Sequence, residues 1–167
     1  MSISVRIDTS GAFLSGQAPE IIQKNLNQAI VAATMLLWRE VQARTPQGVG
    51  GYQGGLISTI QSAVSGKGTP VCKGIITHGK PYGDVIEKGR TVGKGMPPEG
   101  SLLRWLEVKL GLSEKDAKRI EFVVRRKIKS KGFAGAHMFE QALKDNLSRV
   151  EAIFMQAGFA LAKELEA

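Results

Sequence analysis

Two histidines, His78 and His137, and one cysteine, Cys72, supply the imidazoles and the thiol of this sequence. Nucleophilic catalysis needs a serine or cysteine within reach of a base that a third group orients. His78 ends an expected strand and His137 starts an expected helix, places typical of turn and capping residues. Cys72 has no second cysteine for an internal disulfide and lacks the companion ligands of a zinc site. The carboxylates lie mostly on helical segments beside basic residues, as solvated faces do, and do not converge as an acid–base pair would. Two glycine-rich stretches invite comparison with phosphate loops. Gly48 to Gly55 follows a helix instead of a strand and lacks the terminal Lys-Ser/Thr, and Gly89-Arg90-Thr91-Val92-Gly93-Lys94-Gly95 ends in glycine where a hydroxyl is needed. The expectation is no catalytic residue, no metal and no cofactor.

Charge is more informative. With 23 basic and 15 acidic side chains the net charge is +8, which favours anionic partners. The segment 114–131 concentrates it. On a helix, at about 100° per residue, Ala117, Ile120, Val124 and Ile128 fall on one face, with Lys115, Lys118, Arg119, Arg125, Arg126 and Lys129 opposite. Phe122 projects among these cations. Three readings stay open for this basic face: a solvated surface with Phe122 in a local contact, a contact with another subunit or an acidic partner, and sequence-independent binding to a phosphate backbone.

These groups must be positioned by the rest of the chain. At 167 residues it suits a single domain, 1–167, large enough to bury a core without metal or disulfide. Met1 to Asp8 alternates apolar and polar residues as a strand does and lacks the pattern of a secretory signal, so a protein made and used inside a cell is expected, and the single Cys72 fits a reducing compartment. The longest uncharged apolar run, Ala29 to Trp38, is about half the ~20 residues needed to span a bilayer, so no membrane partner is expected. From Pro19 to Arg44, Ile22, Leu26, Ala29, Ile30, Ala33, Leu37 and Val41 recur at helical steps. Val31, Met35 and Trp38 form a second apolar stripe on that helix, assigned here to self-association.

Thr45 to Gly55 reads as a flexible loop, and Ile57 to Val64 with Val71 to His78 as a hairpin. Tyr82 to Glu87 reads as a short extended segment or turn, and 88–100 as a second flexible loop that leaves 101–131 free to act as a helical lobe. Helices are expected from Ser101 to Leu110, from after Ser113 to about Lys129, and from His137 to Leu165. The last places Phe139, Leu143, Leu147, Val150, Phe154, Ala157, Leu161 and Leu165 on one stripe. The fold class is α+β: two long packed helices against a small antiparallel sheet, with two shorter helices between the sheet and the C-terminal helix.

Tyr82-Gly83-Asp84-Val85-Ile86-Glu87-Lys88-Gly89, Pro97-Pro98, Leu102 to Leu112, Ile128 to Gly132, and His137-Met138-Phe139 with Ala142-Leu143 carry a resemblance in their order and spacing. Together with Pro46 and Gly55-Leu56, the set resembles tailed-phage neck, tail-completion and minor tail proteins from about residue 19 onward. The chain departs from them in Arg90, which intervenes before Thr91, and in the glycines of its first loop. The resemblance implies a virion structural protein that forms a ring, often a hexamer, between portal adaptor and tail tube or tail terminator, around a channel for DNA. Such a protein is assembled in the host cytoplasm. Partner contacts are assigned to Tyr52, Tyr82, Glu87, Arg90, Lys94 and Trp105. The alternative function is a nonspecific nucleic-acid-binding module using Lys118, Arg119, Phe122, Arg125, Arg126 and Lys129.

Overall fold

The computed structural model describes residues 16–49, 54–67 and 71–166. The expected N-terminal strand and Tyr52 lie outside the described residues. The architecture is α+β. In chain order it comprises α1 (Ala18–Arg44), a 3₁₀ turn (Ile57–Thr59), β1 (Ile60–Ser65), β2 (Lys73–His78), α2 (Gly83–Lys88), β3 (Gly89–Arg90), α3 (Leu103–Leu110), α4 (Glu114–Lys131), β4 (Phe133–Ala134) and α5 (Met138–Glu166). No helix among the described residues is long and apolar enough to cross a membrane.

The chain divides into two compact units, one of residues 1–37, 62–75 and 145–167, the other of 38–61 and 76–144. In the first, Ala29 and Ala33 of α1 are buried. Small side chains there let neighbouring backbone approach closely, and a Cβ at Gly74 of β2 would collide with the Thr34 side chain. The N-terminal turns of α1 and the C-terminal turns of α5 are joined through one carboxylate. Glu164 Oε2 lies 3.6 Å from Lys24 Nζ and accepts from Asn25 Nδ2 at 3.4 Å. Asn25 is itself buried and also donates to the Ile21 carbonyl, so its amide is not orphaned.

The second unit holds the main core: Val41 from α1, Leu56 and Ile60 around the 3₁₀ turn, and Met138 and Ala142 from α5. Trp38, Ile76, Ile86 and Phe139 pack on it, so the last turns of α1, the hairpin and the first turns of α5 share one cluster. The buried line at the start of α5 is Met138 and Ala142, while Leu143 and Leu147, expected to face inward, are 51% exposed. Ala142 permits the close packing that the larger leucines would hold open.

Two local structures differ from the sequence reading. Tyr82 to Glu87 is not extended; from Gly83 it is α2, with Asp84 in its first turn and Lys88 in its last, both favourable to the helix dipole. Gly89-Arg90, inside the second expected loop, pairs antiparallel with Phe133-Ala134, Gly89 opposite Ala134 and Arg90 opposite Phe133. Two-residue strands carry no hydrophobic alternation, so periodicity cannot reveal them. The helix boundaries near α4 follow their caps. Ser113 Oγ accepts from the Asp116 N–H at 3.2 Å, and Gly132 closes the helix with φ of 62°.

Candidate interaction surfaces

A groove of about 480 Å³ lies in the second unit, lined by Tyr82, Arg90, Trp105 and Phe133 with Pro97, Pro98 and Leu102. Three of the six residues assigned to partner contact therefore meet on one surface. Their convergence follows from local structure: Tyr82 precedes α2, Arg90 sits in β3, and Trp105 lies in the first turn of α3. Tyr82 and Trp105 stay a little under half exposed. Arg90 donates to the Gly95 carbonyl, while its Nε is buried without a partner among the described residues. The groove is an apolar slot with cationic groups at its margin, suited to an apolar side chain carried on a partner.

The remaining contact candidates are placed elsewhere. Glu87 points at the start of α5, where its two carboxylate oxygens accept from the Phe139 and Glu140 N–H groups at 3.1 and 3.2 Å. A carboxylate there satisfies otherwise unpaired amides and opposes the positive end of the dipole. Lys94 is exposed in the segment after β3.

That segment is anchored to α4. The Gly93 N–H donates to the Lys129 carbonyl at 3.1 Å, and Arg125 Nε donates to the Pro97 carbonyl at 2.8 Å. Glu121, 4% exposed, accepts from the Gly100 N–H at 3.1 Å and the Leu102 N–H at 3.0 Å. Sequence reasoning passed over Glu121. Its signal was an acid one helical turn after Ala117, on the edge of the apolar stripe of an otherwise basic helix. Ile120, expected on that stripe, is exposed.

The basic face of α4 is consequently divided. Arg125 is engaged by the loop, and Lys118 pairs with Glu114 at 2.6 Å. That hydrogen bond, with the lysine charge, holds the Glu114 carboxyl below its ordinary value; the same bond, with the glutamate charge, raises the Lys118 ammonium above its own. Arg119 stays exposed. Phe122, 57% exposed, shares a shallow concavity with Val92, Met96, Arg126 and Lys129.

Both imidazoles make local contacts. His78 stacks tilted on Phe139 with ring centroids 6.1 Å apart, and its Nε2 lies 3.5 Å from Asp84 Oδ1. A Cβ at Gly83 would penetrate the His78 ring, which is why α2 begins on glycine. His137 Nδ1 lies 3.0 Å from Glu140 Oε2, at the first turn of α5. Among the described residues no group of three or more His, Cys, Asp or Glu side chains could hold a metal ion.

In the first unit, Val31 and Met35 of α1 are exposed. Trp38, the third member of that stripe, is turned into the second unit's core, and its indole N–H donates to the Ile60 carbonyl at 3.0 Å. A second apolar surface was not anticipated: Met155 and Phe159 of α5 are 61% and 77% exposed, one turn apart. Their sequence signal is the three-four spacing of Ala152, Met155, Phe159 and Ala162, overshadowed by the stronger stripe through Val150 and Phe154. No protein-family model matches the chain, no curated protein matches its sequence, and no solved structure matches its fold.

Proposed function

We propose that this chain is a structural, noncatalytic subunit of a tailed-phage virion. In this reading it is a tail-completion or head–tail joining protein that assembles with its own copies into a ring, a hexamer, between portal adaptor and tail tube or terminator. The observation that carries the reading is large apolar side chain left in water along both long helices, at Val31 and Met35 on α1 and at Met155 and Phe159 on α5. Covering four such side chains contributes on the order of 5 kcal/mol toward assembly, which an isolated subunit forgoes. The ordered residues that resemble phage neck proteins support the location, and the groove of Tyr82, Arg90 and Trp105 supplies a surface for a different neighbour. Sedimentation velocity and negative-stain microscopy of the purified protein, alone and with its connector, test this. Closed rings or connector-bound rings are expected; a monomer that never binds the connector contradicts it.

A second reading rests on the concavity of Phe122, Arg126 and Lys129. An exposed aromatic ring between cations suits stacking and phosphate contact, and supports nonspecific binding to nucleic acid passing the subunit.

A further inference from the structure

From the surfaces of α1 and α5 we infer that the exposed stripe of α1 packs antiparallel against the exposed stripe of α5 in a second copy of this chain. The inference rests on the self-association in the proposed function and gives it an interface. On α1 the outward residues Gln28, Val31, Met35 and Arg39 follow one another at steps of three, four and four, and all are exposed. On α5, read in reverse, Ala162, Phe159, Met155 and Glu151 have the same steps and are likewise exposed. Laid antiparallel, the two stripes match residue for residue: Val31 meets Phe159, Met35 meets Met155, and Arg39 meets Glu151. Each apolar side chain faces another, and the cation faces the anion.

Two further observations point to an occupant of this chemistry. Neither Arg39 nor Glu151 makes an ion pair or hydrogen bond among the described residues, so the opposed charges are available to another molecule. Gly158 lies on the same face, one turn from Met155, inside a helix where glycine is unfavourable relative to alanine. The subunit itself does not require it, because a Cβ there would meet nothing within 4 Å. In the antiparallel register Gly158 falls opposite Ala32, also exposed. Two small residues facing each other let the helices approach until Met35 and Met155 interlock. The α1 stripe of this chain therefore has its complement, in spacing, size and charge, on this chain's own α5.

The test uses the full chain carrying Cys72→Ser, with Met35→Cys and Met155→Cys introduced separately. Under mild oxidation the mixture should give a disulfide-linked species, and either variant alone several-fold less. Arg39→Glu and Glu151→Arg should each weaken self-association roughly two- to fivefold, and the double variant in one chain should restore it. Gly158→Leu should leave the subunit folded and weaken association roughly tenfold or more. The inference is overturned if Met155→Cys alone links as well as the mixture, if oligomers form without the Met35–Met155 link, if the protein stays monomeric at all concentrations, or if Met155→Cys links only to another virion protein. Incorporation into particles is read separately. A linked oligomer that never joins virions refutes the neck assignment and supports the interface, whereas a virion ring lacking the link refutes the interface alone.

Discussion

Replacing Glu121 with alanine should detach the segment that borders the groove. The Glu121 carboxylate, 4% exposed, receives the Gly100 and Leu102 N–H groups at 3.1 and 3.0 Å. Hydrogen bonds to a charged group contribute about 1.5–3 kcal/mol each. The Gly100 end is exposed and water partly replaces the lost acceptor, so the lower value applies to both, giving about 3 kcal/mol for the pair. Alanine returns only a few tenths through helix propensity. For a chain of this length the loss corresponds to a drop of about 6–12 °C in Tm. Glu121→Gln keeps one acceptor and should lose about half as much. Urea denaturation gives the free energy, and amide exchange at Gly100 and Leu102 locates it. Because Leu102 lines the groove with Trp105, the tryptophan emission should shift as well. A loss below about 1 kcal/mol with both amides still protected would refute the assignment of Glu121 as the anchor.

Three other perturbations probe separate parts of the structure. Gly83→Ala forces a methyl group into the His78 ring and should cost about 1–3 kcal/mol in chemical denaturation. An unchanged midpoint would mean that the two residues do not pack. Trp38→Phe removes the indole donor to the Ile60 carbonyl but keeps an aromatic ring in the core, and should cost about 1 kcal/mol while leaving self-association unchanged. A large loss of association instead would place Trp38 at the interface. Combined Arg119→Gln, Arg126→Gln and Lys129→Gln should abolish retention on DNA at low salt if the second reading holds, with the parent's binding falling steeply as salt rises. Weak retention unaffected by the substitutions removes that reading.

The long helices were legible because their apolar residues recur over many turns, where one exception does not break the pattern. Ser113 and Gly132 made the ends of α4 legible through capping chemistry. The inward face of α5 was less so. Leu143 and Leu147 outweigh Ala142 on any hydrophobic scale, yet close packing selects the small side chain and leaves the leucines outside. Trp38 shared a helical face with Val31 and Met35, but the Ile60 carbonyl, distant in sequence, determined its direction. The groove was half visible: Tyr82, Arg90 and Trp105 were each singled out, while the tie that brings their loop to α4 depends on Glu121, which no pattern singled out. Glu87 was singled out as a contact and instead caps α5, because the two-residue pairing of β3 with β4 brings it there.

We propose a place for this chain in the phage neck or tail end. Cryo-electron microscopy of purified tailed particles, with the protein located by an attached label, tests it most directly. A closed ring of copies at the junction between head and tail, present in every intact particle, is expected. Purified infectious particles lacking the protein would contradict it.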